Sequence, residues 1–330
     1  MGARMIIGAR VALGAAGMAL ASLGLAPNAQ AAAQAAAQEN TEESAKETAE
    51  PKRSPAEIIA QAGPDQWRTV NPAHMLMIEV PSGMITIELL DGAAPGHVAQ
   101  MQKLVKAGFY DGLSFYRVID GFVAQGGDVF ETRELPEGTV RNLPAEIEGV
   151  FSASVMIEAA IALGKDSHTD SYAGKVGFYN GFPIASSSEN PQLNWMTHCT
   201  GALAMARDAD PDTGGTEFYI PLQPQRYLDR NLTIFGRVID GMSHVQALTR
   251  QSPPEEPEDG LGDTIVQAWM GDSPPQGRTA PHWQVFKTDT KLFADYVESR
   301  RNRPESFFIY RPNRLDICQS PIPVKSDTDR

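Results

Sequence analysis

Residues 114–128 read SFYRVIDGFVAQGGD, and this short run constrains the fold more than any other part of the chain. Ser114–Asp120 alternates in the manner of a β-strand and carries a central arginine. Gly121 interrupts the alternation, and the strand pattern resumes over residues 122–125 before a Gly-Gly pair ends it. The run therefore predicts two short strands joined by a tight turn, with mixed polar and aromatic faces.

This strand pair resembles the signature of the cyclophilin-type peptidyl-prolyl cis-trans isomerases, which typically reads F-H-R-V-I-x-G-F-M-x-Q-G-G-D. Only the His and the Met of that pattern are replaced, by Tyr116 and Val123. The similarity runs over about residues 75–249, interrupted by a long insert at 129–200. Four later segments resemble further family motifs in the family's order: Gly201–Arg207, Thr216–Ile220, Tyr227–Asp229 and Ile234–Met242.

The resemblance implies a mainly β fold, a closed eight-stranded antiparallel barrel capped by two α-helices. The hydrophobic pattern agrees, because it predicts a hairpin from Met75–Val80 and Met84–Leu89 and helices at Ala94–Ala107 and Met242–Thr249. We expect a signal peptide at 1–31, a flexible linker at 32–64, a cyclophilin-like domain at 65–250 and a C-terminal extension at 251–330 that packs on the barrel, as in exported bacterial cyclophilin-like proteins.

Two of these regions have patterns of their own. Within the insert, Lys175–Phe182 has the character of an aromatic hairpin. The C-terminal extension predicts strands at Thr264–Trp269 and Trp283–Phe286 and a helix at Asp289–Arg301 that begins near an Asp. Arginines crowd the end of that helix, which is typical of helix-end electrostatics and also compatible with an acidic partner.

The N-terminus has the pattern of a secretory signal peptide. Arg4 and Arg10 precede an apolar run over residues 11–27, and an A-x-A cleavage site ends at Ala31. A retained membrane anchor is the weaker alternative, because a spanning helix needs about 20 apolar residues. We expect cleavage, a periplasmic location and no membrane span in the mature chain.

Composition argues against several function classes. Removal of Arg4 and Arg10, with no acidic residue, changes the formal charge from −13 to −15, which argues against nucleic acid as a partner. No GxSxG, Walker or dinucleotide-binding motif supports acyl transfer or nucleotide chemistry. The spacing of Asp166, His168 and Asp170 does not match a recognised metal-ligand pattern, so we expect neither a metal ion nor a cofactor.

The two cysteines, Cys199 and Cys318, allow two readings. An even count in an oxidising compartment favours one disulfide. Two buried free thiols are the alternative, since the sequence does not show that they come within bridging distance.

The resemblance assigns catalysis to Arg117. A prolyl peptide bond resists rotation by about 18–20 kcal/mol because resonance occupies the nitrogen lone pair. Twisting the bond returns that pair to nitrogen, so a donor aimed there stabilises mainly the twisted state. The resemblance places substrate-binding positions at Tyr116, Ile119, Phe122, Val123, Gln125, Ala206, Arg207, Asp208, Glu217, Tyr219, Tyr227, Leu228 and Leu232.

Four positions depart from the family pattern. Tyr219 replaces a pocket Phe, Tyr227 replaces Trp or Phe, and Leu232 stands where His or another aromatic residue is common. Glu217 replaces Gln, and we expect its carboxylate to compete for the donors of Arg117 and weaken the activity.

Three functions therefore remain open. The Arg117–Phe122–Gln125 trio favours a prolyl isomerase acting on proline-containing segments of exported proteins. Glu217 and Leu232 favour a proline-peptide binding or chaperone module with little or no catalysis. A scaffold that interacts through the insert and the C-terminal extension is a weaker third.

Overall fold

The structure, a computed structural model, describes residues 52–149, 170–190, 192–253, 261–311 and 314–327. The predicted signal peptide and the linker up to residue 51 lie outside the described residues, as do Asp166 and His168. The described helices are α1 Pro55–Ala60, α2 Pro95–Lys106, α3 Met242–Ala247 and α4 Lys291–Arg301.

Strands dominate the described chain, as the sequence predicts. They are β1 Trp67–Thr69, β2 Met75–Val80, β3 Gly83–Leu89, β4 Ser114–Val118, β5 Val123–Gly127, β6 Lys175–Tyr179, β7 Phe182–Ser186, β8 Asn194–Met196, β9 Ala202–Met205, β10 Phe218–Pro221, β11 Ile234–Asp240, β12 Asp263–Thr264, β13 Gln267–Met270, β14 Trp283–Phe286 and β15 Val324–Ser326.

A nine-stranded antiparallel sheet forms the centre of the molecule, in the order β12-β4-β5-β10-β9-β11-β3-β2-β13. The predicted hairpin is confirmed, because β2 and β3 pair from Met75 opposite Glu88 to Val80 opposite Gly83. The segment predicted as one strand, Thr264–Trp269, is instead divided. Its first part pairs with β4 and its second part pairs with β2, so residues 263–270 touch both edges of the sheet.

Two helices cover the apolar interior of this sheet, as predicted. Helix α2 has a proline at its first position and buries Val98, Met101, Leu104 and Val105. Gly108 follows the helix with φ +70°, a conformation that suits glycine at a helix end. Val245 of α3 is also fully buried in the same core.

A second, smaller sheet joins the two ends of the described chain, in the order β1-β14-β15. Helix α1 packs on α4 beside it, and Ile58 is 2% exposed there. The prediction of a flexible linker at 32–64 is therefore wrong for its last part. Ser54 and Glu57 form a reciprocal capping box that starts α1, and burial of Ile58 holds it in place. The α4 cap is Thr290, whose side chain accepts from the Phe293 N–H.

The insert contributes a third sheet, in the order β6-β7-β8. Its predicted aromatic hairpin is present, and the turn between β6 and β7 is Asn180-Gly181, with φ +49° and +83°. Cys199, one residue before the end of the insert, forms a disulfide with Cys318, and the two sulfurs lie 2.05 Å apart. None of the helices in the described part of the chain has the length and apolar character needed to cross a bilayer.

Candidate active site

A β-bulge shapes the strand pair that carries Arg117. Ser114 pairs with Gly127 and Arg117 pairs with Gln125, so two residues of β4 oppose Gly126 alone. Phe115 is fully buried in the sheet interior, whereas the Tyr116 and Arg117 side chains both reach Gln125. The bulge thus allows two consecutive side chains to serve one site.

The Gly-Gly pair is a steric requirement of this arrangement. A Cβ on Gly126 would lie 3.1 Å from the Ser114 carbonyl oxygen. Gly127 has φ +135°, and a Cβ there would lie 2.9 Å from Glu217 Cα. Glu217, directly before β10, can approach Gly127, and β4 can approach Gly126, because neither residue has a side chain.

Arg117, Phe122 and Gln125, which the sequence groups as the reactive trio, come together in the structure. Arg117 Nη1 donates to Gln125 Oε1 over 3.0 Å, and the guanidinium lies 5.2 Å from the centre of the Phe122 ring. All three side chains are half-buried, so a ligand can still reach them. Across the sheet, Gln125 of β5 is paired with Tyr219 of β10, and Tyr219 is paired with Ala204 of β9.

Glu217 contacts Gln125 and Tyr116 rather than Arg117. Its Oε2 accepts from Gln125 Nε2 over 3.2 Å and from the Tyr116 hydroxyl, which itself accepts from the same Gln125 amide. No ion pair joins Glu217 to Arg117 among the described residues. The expected direct competition for the arginine donors is therefore replaced by an indirect link, in which Gln125 bridges the carboxylate and the guanidinium.

The surroundings of Glu217 oppose its ionisation. Burial raises the pKa of this carboxyl above its usual value, and the nearby Asp128 and Asp208 charges act in the same direction. The hydrogen bonds from Tyr116 and Gln125 offset only part of this effect.

An apolar wall stands beside Arg117. Val123 and Tyr219 are buried within one cluster, against which Phe122, Ala206, Leu228 and Leu232 pack. The insert adds Phe182, Ile184 and Met196 to the same cluster. Such a surface suits the ring of a proline, which has no polar atom to satisfy.

The remaining predicted positions are more peripheral. Tyr227 is 57% exposed, Asp208 is exposed, and Ile119 is half-buried outside this apolar cluster. The Arg207 guanidinium donates to backbone carbonyls, including that of Asn231. The Ala206 N–H already donates to the Glu217 carbonyl, so this group is not free to hold a substrate main chain.

Sequence reasoning missed a buried polar group behind the wall. The Tyr219 hydroxyl lies 2.9 Å from His198 Nε2, and His198 Nδ1 lies 3.0 Å from Asp229 Oδ1. Burial raises the pKa of Tyr219, which keeps its hydroxyl protonated. The available signal was the tyrosine itself, since a hydroxyl at an apolar pocket position needs a partner. The described residues contain no cluster of His, Cys, Asp or Glu suited to a metal ion.

Comparison with known proteins identifies relatives of this chain. Residues 75–268 match the family model of the cyclophilin type peptidyl-prolyl cis-trans isomerases. Peptidyl-prolyl cis-trans isomerase B of Bacillus subtilis (strain 168) is 35% identical over 165 residues, which cover 50% of this chain and 82% of the relative. Peptidyl-prolyl cis-trans isomerase-like 1 of Homo sapiens is 30% identical over 213 residues, 64% of this chain and 98% of the relative.

A solved structure also resembles this protein over most of its length. The crystal structure of a cyclophilin from Hirschia baltica shares 31% identity with a TM-score of 0.64, covering 83% of this chain and 97% of that one. The family model alone spans more than half of the 330 residues. The chain therefore belongs to the cyclophilin-type peptidyl-prolyl cis-trans isomerases, and isomerisation of X-Pro bonds is its activity.

Proposed function

We propose that this isomerase acts on X-Pro bonds of exported proteins and that Arg117 is its catalytic residue. The observation that carries the proposal is the Arg117–Phe122–Gln125 group beside the apolar wall. A guanidinium has five N–H donors in a fixed fork. Arg117 donates one hydrogen bond within the described residues, to Gln125, which leaves other donors for a substrate.

The chemistry follows from the position of these donors. The proline ring packs against Phe122, Val123, Tyr219 and Leu228, and this places the prolyl nitrogen near Arg117. As the peptide bond twists, its nitrogen regains a lone pair and accepts from the guanidinium. Planar substrate lacks this acceptor, so the interaction stabilises the transition state selectively. No covalent step and no cofactor is required.

A barrel is the finer form of the fold that we propose. Strands β12 and β13 are separated only by Ile265 and Val266, and they pair with opposite edges of the large sheet. The backbone N–H of Ile265 donates to the carbonyl oxygen of Leu113, and the N–H of Val266 donates to the backbone carbonyl oxygen of Glu79. If β12 and β13 are taken as one bent strand, the sheet closes on itself with eight strands.

Export is a separate part of the proposal. It is supported by the Arg4/Arg10 leader pattern and by the Cys199–Cys318 disulfide, a bond that persists in oxidising compartments. We expect the mature chain to begin near Ala32 in the periplasm. Intact mass of the protein from the periplasmic fraction tests this, and a mass that includes residues 1–31 refutes it.

A protease-coupled isomerisation assay tests the catalytic assignment. The mature chain and Arg117→Ala are compared on the same X-Pro peptide, with thermal unfolding as the control for folding. We expect Arg117→Ala to lose most of kcat/KM while its fold is retained. Unchanged turnover in this variant overturns the role of Arg117.

A proline-peptide binding module is the second candidate, and Glu217 favours it because its carboxylate strengthens the hold of Gln125 on Arg117. The same assay separates the two functions. Binding of a proline peptide without turnover, in both wild type and Glu217→Gln, supports the binding module.

A further inference from the structure

We propose that the described part of the insert contributes to the active site, with His198 as a positioning residue that holds Tyr219 in the apolar wall. This inference rests on the proposed function, because it takes Tyr219 to contact the substrate proline. His198 lies in the last residues of the insert, directly before Cys199.

The first step is the contact between His198 and Tyr219. The hydroxyl and His198 Nε2 are 2.9 Å apart, and the two rings lie at 9° to one another with their centres 6.1 Å apart. His198 is fully buried and Tyr219 is 4% exposed. The hydroxyl is thus directed at the insert, while the ring packs in the cluster that forms the wall.

The second step is the orientation of the imidazole. Asp229 Oδ1 accepts from the His198 backbone N–H over 2.8 Å and lies 3.0 Å from His198 Nδ1. Since an ionised carboxylate can only accept, Nδ1 carries a proton. In the tautomer that carries its one proton on Nδ1, Nε2 is the acceptor for the Tyr219 hydroxyl. Asp229 fixes the ring in the way that an outer carboxylate fixes a metal-bound histidine.

The third step connects this group to a second segment of the insert, around Asp170. Arg226 Nε donates to Asp229 Oδ2 over 2.5 Å, and its two terminal nitrogens donate to Asp170 over 2.8 and 3.0 Å. The Tyr172 ring lies 5.4 Å from the guanidinium. Burial alone lowers the pKa of Arg226, but the hydrogen bonds and charges of the two aspartates outweigh it and raise the pKa.

This connection has a consequence for the wall. Arg226 and Asp229 flank Leu228, a wall residue on a short turn, and Tyr219 lies on β10. The insert, through His198 and Asp170, therefore fixes both elements that meet around the proline ring. Loss of the His198 contact frees the Tyr219 hydroxyl, and we expect the ring to leave its place in the wall.

The test uses the full mature chain and measures kcat and KM separately on one X-Pro peptide. His198→Asn keeps an amide near the Nδ1 position and removes the atom that reaches Tyr219. Tyr219→Phe removes the hydroxyl alone. We expect each to raise KM about fivefold with little change in kcat, since uniform binding is lost.

The double variant gives a readout that a merely structural role does not produce. If His198 acts through the hydroxyl, His198→Asn in a Tyr219→Phe background has no further effect on KM. His198→Gln, whose amide can reach Tyr219, should recover part of the loss. His282→Asn, at an exposed histidine, is the matched control and should leave KM unchanged.

Several outcomes overturn the inference. These are an unchanged KM in Tyr219→Phe, or His198 and Tyr219 effects that multiply in the double variant. If His198→Asn does not fold, Tyr219→Phe alone decides. Arg117→Ala in the same series separates the two proposals: if it keeps full activity the catalytic assignment fails, whereas loss there with normal His198→Asn refutes only the positioning role.

Discussion

Replacement of Glu217 by Gln should raise the activity of this isomerase. Glu217 accepts from the Gln125 amide, and the other end of that amide accepts from Arg117. A charge on Glu217 polarises Gln125 and so strengthens its Oε1 as an acceptor, because hydrogen bonds in a chain reinforce one another. A neutral amide at 217 weakens that hold and makes the Arg117 donors more available to the twisted prolyl nitrogen.

The size of the effect follows from the bonds involved. A hydrogen bond to a charged group contributes about 1.5–3 kcal/mol, and a neutral one contributes about 0.5–1.5 kcal/mol. The difference transmitted through Gln125 is therefore about 1 kcal/mol at most. Since about 1.4 kcal/mol corresponds to a factor of ten in rate, we expect kcat/KM to rise by about fivefold or less.

The assay is protease-coupled isomerisation of one X-Pro peptide by wild type, Glu217→Gln and Arg117→Ala. The two variants should move in opposite directions. Loss of the Arg117 donors should lower kcat/KM by about a hundredfold, as for removal of a donor that acts on the transition state. Glu217→Asp is the matched control, because it keeps the charge and should not accelerate the reaction. A lower rate in Glu217→Gln means that the carboxylate assists catalysis, and the reasoning is then wrong.

Three further predictions concern stability. A carboxyl with a raised pKa binds more protons in the folded state, so the destabilisation by Glu217 grows as the pH rises from its ordinary pKa of 4.5 to its raised pKa in the folded state, and is constant above that. The gain in melting temperature from Glu217→Gln should thus be larger at pH 7 than at pH 4, and an equal gain at both contradicts the burial argument. The Cys199–Cys318 bond joins residues 119 positions apart, and the loss of chain entropy in the unfolded state should make it contribute about 4–5 kcal/mol to the free energy of unfolding. Replacing both cysteines with Ser should lower the melting temperature by on the order of 10 °C, and peptide mapping that finds both thiols free in exported protein refutes the bond. Gly241→Ala should destabilise the fold strongly. Gly241 has φ +82°, and a Cβ there would lie 2.1 Å from a backbone carbonyl oxygen of β3. Gly277→Ala, at φ +79° in open space, should lose only about 1 kcal/mol, and equal losses would show that φ alone matters.

Local patterns in the sequence were enough to predict the elements that carry the reactive group. The alternation around Arg117, the Gly-Gly pair and the turn glycine each act over a few residues, so their consequences are visible without the fold. The hairpin at Met75–Leu89 and helix α2 follow from the same short-range periodicity.

Features that depend on distant contacts were beyond this reasoning. The helix around Ile58 is only six residues long, and although Ser54 and Glu57 cap its start, its burial against α4 is a distant contact that the sequence does not show. Thr264–Trp269 has the pattern of one strand, but its first part pairs with β4 and its second part pairs with β2. The partners of Glu217 depend on the β4 bulge, and no spacing rule brings His198 to Tyr219, because the insert has to fold back first.

Strands near the beginning of the chain pair with strands near its end, so the sheets can be completed only late in synthesis. Strand β1 has β14 as its partner and β2 has β13, while β12 covers β4. A ribosome must therefore complete about four-fifths of the chain before the large sheet can gain its last strands. Contacts between such distant segments form slowly. Until residues 263–270 emerge, β2 and β4 have bare edges that can pair with other chains. The nascent chain of this isomerase therefore cannot complete its own large sheet until most of it has been synthesised.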